Sequence, residues 1–313
     1  MVKLSKAFEG RDIIDINDFS KEELLFLLKI ARKFDPDFLK RSKRSNYTIA
    51  QGEIAAHLFF EPSTRTEQSF RSAAQKIGMG VIGFNDLNVT SMHKGETFND
   101  TIRIMESYAN VLIIRHPEVG SAKRAADIAE IPVINAGDGP NQHPTQTLLD
   151  LYTIQKVFQR LEGLKVAFVG DPKHYRTMRS LAVALFKFAK NKIFGISPAG
   201  LEMDNQFKSE SYNDLAINMK DLDKTLEQIK PDVVYAGRIP KEYMKKKVKE
   251  FSYLINKATM DILPKHSILM HPLPRVDEMD PEVDSNPKAI YFKQARNGMY
   301  IREALLALVL GRI

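Results

Sequence analysis

The chain has 313 residues, 43% of them apolar and 27% charged, which is enough for two domains of ordinary size with separate cores. Cysteine is absent, which excludes disulfides, thiolate metal ligands and cysteine nucleophiles and makes a reducing cytoplasm the expected location. The net charge of +7 is expected to serve acidic small molecules rather than nucleic acid. Neither a membrane span nor a signal peptide is expected, since no apolar run reaches about 18 residues and Met1-Val2-Lys3-Leu4-Ser5 lacks an apolar core.

Residues 20–34 open on Ser20, a candidate N-cap, with Glu22 and Glu23 in the first turn and Leu24, Leu25, Leu27, Leu28 and Ile30 behind them, the pattern of a packing helix. The segment 35–51 is polar and basic, with Lys40, Arg41, Lys43 and Arg44, and reads as a surface connection. The run Ile54 to Phe60 suits a buried strand, and Phe70, Ala73, Ala74 and Ile77 then recur at helical spacing until Gly78 and Gly80. Between them Glu61-Pro62-Ser63-Thr64-Arg65-Thr66 turns from strand into helix. The free N–H groups of such a turn sit at the positive end of a helix dipole, and three hydroxyls and a guanidinium add donors suited to a phosphate. Ordinary helix capping accounts for the same side chains, and spacing alone leaves both readings open.

A strand over 81–84 is followed by a long polar loop, Asn85 to Asn99, which contains Thr90-Ser91-Met92-His93-Lys94-Gly95-Glu96-Thr97. Loops of that length are lids, binding loops or exposed connections. A helix from Thr101 to Tyr108 precedes the strand Val111 to Ile114, which ends in Arg115-His116-Pro117. A helix over 121–129 and a strand over 132–135 deliver the turn Ala136 to Gln146, and a helix follows from Leu148 to Phe158. Alternating strand and helix predict an α/β fold with mainly parallel sheets and helices on both faces. Ligands gather at the carboxyl ends of such strands, and Arg65, Arg115 and His143 stand at three of them.

A second α/β cycle begins at Lys165-Val166-Ala167-Phe168-Val169-Gly170-Asp171. The glycine spacing of a dinucleotide turn is missing there, so no nicotinamide cofactor is expected. A helix over 177–189, a strand over 192–196, an acidic irregular stretch over 200–228, a strand over 232–235, a basic helix near 241–251 and a strand over 267–270 complete it. The basic run Lys245-Lys246-Lys247 with Lys249 lacks interleaved aromatics and reads as a solvated helix face. The last strand ends in His271-Pro272-Leu273-Pro274-Arg275, where two prolines pin the backbone so that the Leu273 carbonyl faces a ligand. Ile301, Leu305, Leu306, Leu308 and Val309 form an apolar helix that needs a groove.

Five of these stretches, Ser63-Thr64-Arg65-Thr66, Lys94-Gly95-Glu96-Thr97, Arg115-His116-Pro117, His143-Pro144-Thr145-Gln146 and His271-Pro272-Leu273-Pro274-Arg275, resemble, in order, the signature stretches of the aspartate/ornithine carbamoyltransferase family. The resemblance runs from residue 12 to residue 311. Ornithine enzymes of the family usually carry a cysteine in the stretch matching 271–274, so Arg275 and the lack of cysteine look like the aspartate branch.

The resemblance implies transfer of the carbamoyl group of carbamoyl phosphate to the amine of L-aspartate, giving N-carbamoyl-L-aspartate and phosphate in pyrimidine biosynthesis. It implies a carbamoyl-phosphate domain of residues 1–147 and 293–313, an aspartate domain of residues 148–292, and an active site in the cleft between them. Ser63, Thr64, Arg65 and Thr66 would hold the phosphate, while Arg115, His143 and Thr66 would polarise the carbamoyl oxygen. Gln146 and the carbonyls of Leu273 and Pro274 would orient the carbamoyl nitrogen. Arg176 and Arg238 would meet aspartate, and Lys94 would arrive from a neighbouring subunit of a homotrimer, with regulatory chains as possible further partners. No cofactor or metal is implied. His116 and His271, each before a proline, read as structural. The family places a glutamine two residues after the arginine matching Arg238 and an arginine further on, where this chain has Pro240 and Tyr243. That departure leaves two alternatives: the same chemistry on an ornithine-like amino acid, or a chain that binds without turnover.

Overall fold

A computed structural model describes residues 2–39, 48–239 and 252–313. The basic stretch around Arg41 to Arg44, Pro240, Tyr243 and the expected basic helix near 241–251 lie outside the described residues. Strands β1 (Ile54–Phe59), β2 (Gly80–Phe84), β3 (Val111–His116) and β4 (Val133–Asp138) form a parallel sheet in the order β2-β1-β3-β4. Strands β5 (Lys165–Val169), β6 (Lys192–Ser197), β7 (Tyr212–Ala216), β8 (Val233–Ala236) and β9 (Ile268–Met270) form a second parallel sheet in the order β7-β6-β5-β8-β9. The helices are α1 (Val2–Lys6), α2 (Lys21–Ala31), α3 (Thr64–Lys76), α4 (Phe98–Glu106), α5 (Ser121–Ala126), α6 (Pro144–Phe158), α7 (Arg176–Phe186), α8 (Leu222–Ile229), α9 (Lys257–Ile262) and α10 (Tyr291–Val309). None of the described helices is long and apolar enough to cross a membrane.

The chain divides into two compact units, Met1–Tyr152 with Arg296–Ile313, and Thr153–Ala295. Each sheet belongs to one unit and has its own core. Central parallel strands are covered on both faces and need near-continuous apolar sequence, which is why Ala55, Ala56, Leu58 and Phe59 of β1 are all fully buried. Ser20 caps α2 through a reciprocal box: its hydroxyl accepts from the Glu23 N–H at 3.1 Å, and the Glu23 carboxylate accepts from the Ser20 N–H at 2.8 Å. From Ile301 to Val309, α10 is buried nearly all round, as a helix apolar on every face must be. Gly298 lets it approach α6, since a Cβ there would stand 2.9 Å from Leu149.

Both sheets have a point where the strand order reverses. In the first, β2 lies on one side of β1 while β3 and β4 lie on the other, so the carboxyl ends of β1 and β3 flank the switch point. In the second, β6 and β7 lie on one side of β5 while β8 and β9 lie on the other, which makes the ends of β5 and β8 its counterpart.

Several expected boundaries differ. Helix α4 runs Phe98–Glu106 rather than from Thr101 to Tyr108, and α7 closes at Phe186 rather than at 189. The stretch 200–228 is not irregular throughout: it contains β7 and α8. Strand β7 is an edge strand with Asn213, Asp214 and Ala216 exposed, so it shows no apolar run, while Leu222 and Leu226 bury only one side of the short α8. Helix α6 starts at Pro144 rather than Leu148, because proline is favoured in a first turn, where no N–H is required. Helix α5 closes at Ala126, three residues before the expected end.

Candidate active site

The turn after β1 enters α3 with Thr64, Arg65 and Thr66 as its first three residues. The first bond of the helix runs from the Glu67 N–H to the Ser63 carbonyl at 3.0 Å, which leaves the N–H groups of residues 64–66 without helical partners. Ser63 occupies the N-cap position, yet its side chain makes no capping bond. Capping therefore does not account for that hydroxyl.

Register puts Arg115 beside Phe59, directly across the switch point from this turn. Its guanidinium is mostly buried, paired with Glu61 at 2.7 Å and donating to the Ala136 carbonyl at 3.2 Å. Burial pulls Arg115 below the usual guanidinium range, Glu61 opposes this, and the positive charge of Arg65 adds to it. Two cations, one in the first turn of α3 and one at the end of β3, thus act on one another, which favours anions nearby. The Arg115 Nε is buried without a hydrogen-bond partner among the described residues.

The loop after β4 is tied around Asp138, whose carboxylate accepts from the Gly120 N–H, the Asn135 side chain, the Asn141 side chain and the Gln142 N–H at 2.9–3.0 Å. That loop sets His143 immediately before α6, buried, with Nε2 3.4 Å from Thr66 Oγ1 and Nδ1 3.4 Å from Thr145 Oγ1. Thr145 accepts from Arg302 Nη2 of α10 at 3.4 Å, and the Arg302 guanidinium lies 4.8 Å above the Phe70 ring of α3. These contacts are long for hydrogen bonds, as in sites that tighten only around a ligand. Gln146 donates to Asp150 at 3.0 Å.

The structure thus links Thr66 with His143, and Arg65 electrostatically with Arg115. Lys94 stands apart on an exposed 3-10 turn, Ser91–Lys94, and its ammonium has no partner among the described residues. Glu96 and Thr97 serve the start of α4: the Glu96 carboxylate accepts from Thr101 at 2.7 Å and Thr97 caps the Asp100 N–H. His116 packs 4.8 Å from the Phe60 ring and 5.4 Å from the Phe98 ring, and its Nδ1 accepts from the Glu118 N–H at 3.0 Å. Those contacts are structural.

In the second unit, Asp171 follows β5 and accepts both the backbone N–H of His174 at 3.1 Å and its Nδ1 at 2.9 Å, closing the turn that places Arg176 first in α7. Arg238 follows β8, two residues past its end, and is half-buried. After β9, buried His271 accepts from the Leu273 N–H through Nδ1 at 2.8 Å, so Nε2 carries the proton that Glu278 receives at 2.9 Å. Burial pushes Glu278 up, but the bonds from His271 and from backbone N–H groups outweigh it and hold the carboxyl below its ordinary value. Leu273 adopts φ 58°, a left-handed conformation that costs a residue with a Cβ about 1–3 kcal/mol. The His271 and Glu278 bonds hold the turn there.

The family described as "Aspartate/ornithine carbamoyltransferase, carbamoyl-P binding domain" matches residues 11–156, and its "Asp/Orn binding domain" matches residues 162–309. The chain belongs to the aspartate/ornithine carbamoyltransferase family. It is 46% identical to the aspartate carbamoyltransferase catalytic subunit of Thermococcus onnurineus, over 97% of this chain and 98% of that one. It is 42% identical to the catalytic subunit of Phocaeicola vulgatus, over 97% and 96%. Among solved structures of the family, the M. jannaschii catalytic subunit superposes with TM-score 0.84 at 39% identity, covering 96% and 98%. Aspartate transcarbamoylase from Trypanosoma cruzi, in complex with carbamoyl phosphate and aspartate, gives 0.86 at 32% identity, covering 97% and 98%.

Sequence reasoning passed over four residues of this carbamoyltransferase that the geometry brings forward: Glu61, Asp138, Glu278 and Arg302. Only Arg302 left a signal, as a lone arginine within the apolar run Ile301 to Val309. Glu61 meets Arg115, and Asp138 meets Gly120, across spans of chain that no local pattern reveals.

Proposed function

We propose that the chain is an aspartate carbamoyltransferase, transferring the carbamoyl group of carbamoyl phosphate to L-aspartate in pyrimidine biosynthesis. The observation that supports this reading is the approach of Thr66 to His143 beside the switch point that Arg115 also flanks, in a member of this family. The first unit is the carbamoyl-phosphate domain and the second the aspartate domain. Ser63, Thr64, Arg65 and Thr66 bind the phosphate with the bare N–H groups of α3.

Arg115, His143 Nε2 and Thr66 bind the carbamoyl oxygen, each donor of this kind being worth about 10²–10³ in rate. Gln146, Leu273 and Pro274 orient the carbamoyl nitrogen, while Arg176 and Arg238 hold the carboxylates of aspartate. The neutral amine attacks the carbamoyl carbon, forming C–N; collapse breaks the C–O bond, and the departing phosphate takes the proton from the amine nitrogen. Lys94 completes the site of an adjacent copy in a homotrimer, in keeping with its exposure on the Ser91–Lys94 turn. A cytoplasmic location belongs to the same reading.

The deciding assay is carbamoyl transfer to a panel of amino acids. L-Aspartate is expected to be the preferred acceptor; preference for ornithine or an acylated ornithine, or carbamoyl-phosphate binding without product, overturns the reading.

A further inference from the structure

Two glycines and two tyrosines meet at the switch point of the second sheet. Gly237, just past β8, donates its N–H to the Val169 carbonyl at 2.9 Å, and a Cβ on Gly170 would stand only 2.0 Å from the Gly237 oxygen. The Tyr253 hydroxyl donates to that same Gly237 oxygen at 2.8 Å and lies 3.2 Å from the Val169 oxygen. Tyr175 covers Gly237 as well: a Cβ there would fall 3.0–3.1 Å from Tyr175 ring carbons and 2.7 Å from Met178 Cε. Burial pushes the Tyr175 phenol above its ordinary range, and the Arg238 backbone N–H beside its oxygen opposes that shift. Glycine at 237 is thus a packing requirement, because the tyrosine ring occupies the space that a side chain would need.

Tyr175 also occupies the N-cap position of α7, where its own N–H donates to the Asp171 carbonyl at 3.1 Å. The next residue is Arg176. One side chain therefore adjoins Arg176 in the chain and packs on Gly237, the residue before Arg238. We infer that Tyr175 is a positioning residue that sets the separation of the Arg176 and Arg238 guanidiniums, and thereby selects the second substrate by the spacing of its two anionic groups. The inference rests on the proposed function only in giving those two arginines to the amino-acid substrate.

Tyr175→Phe keeps the ring on Gly237 and removes the hydroxyl that stands beside the Arg238 backbone. KM for L-aspartate is expected to rise roughly tenfold, the scale of one lost hydrogen bond, while KM for carbamoyl phosphate changes less than about twofold. Selectivity for L-aspartate over L-glutamate, one methylene longer, should fall with it. Gly237→Ala, which displaces the ring from the other side, should produce the same one-sided rise and decides the matter if Tyr175→Phe fails to fold. Equal movement of both KM values, or of neither, overturns the inference. If the unmodified chain carbamoylates a different amine, the assigned activity falls, and the same comparison is then read from the KM of that amine.

Discussion

Thr66 Oγ1 and His143 Nε2 stand 3.4 Å apart although 77 residues separate them in the chain. The contact joins the first turn of α3 to the residue preceding α6, so two helix N-termini face the same space at the carboxyl edge of one sheet. Such an edge supplies unpaired N–H groups, and Arg65 and Arg115 supply charge. The fold thereby makes an anion site from backbone geometry first and side chains second.

Arg65 belongs to the exposed side of that turn, so its removal should leave the core intact. Arg65→Ala is expected to lower kcat/KM by at least about 10³-fold, combining lost phosphate binding with lost stabilisation of the transition state. The far-ultraviolet circular dichroism spectrum and Tm should stay near those of the parent. Near-normal turnover in a folded variant refutes the phosphate site.

Arg302 acts one step back from the chemistry. Burial pushes its guanidinium down to about 9, with Asp150 working against that shift. Because Arg302 donates to Thr145, the Thr145 hydroxyl is left to give its own proton to His143 Nδ1, which keeps the ring proton on Nε2, facing Thr66. Arg302→Met should therefore cost about 10²-fold in kcat, the scale of a small misplacement, with little change in the inhibition constant of inorganic phosphate. Loss of phosphate affinity in step with kcat would make Arg302 a general support of the fold instead.

Much of this was legible in the sequence, and what was not has physical reasons. Strand ends of parallel sheets announce themselves because apolar runs stop abruptly at polar residues, as at Phe60–Glu61 and Ile114–Arg115. Strand β7 escaped because an edge strand buries only Tyr212 and part of Leu215. Pairings such as Glu61 with Arg115, or Tyr175 with Gly237, depend on which strand lies beside which. Local periodicity carries no record of strand order.

Glu303 gives a test that depends on burial alone. It is buried on α10 with Oε1 unpartnered among the described residues, and burial raises its carboxyl to about 8, with Lys76 pulling the other way. In the unfolded chain the group titrates near its ordinary value of 4.5. Between those two values the folded chain holds a proton that the unfolded chain has released, so stability falls as pH rises through that window and levels off above it. Glu303→Gln keeps the shape of the protonated carboxyl and removes the titration. The variant should match the parent in Tm near pH 4.5 and exceed it by a few degrees at pH 8.5. Parallel Tm curves for the two chains across that range would show that Glu303 is ionised in the folded protein and stabilised by a partner.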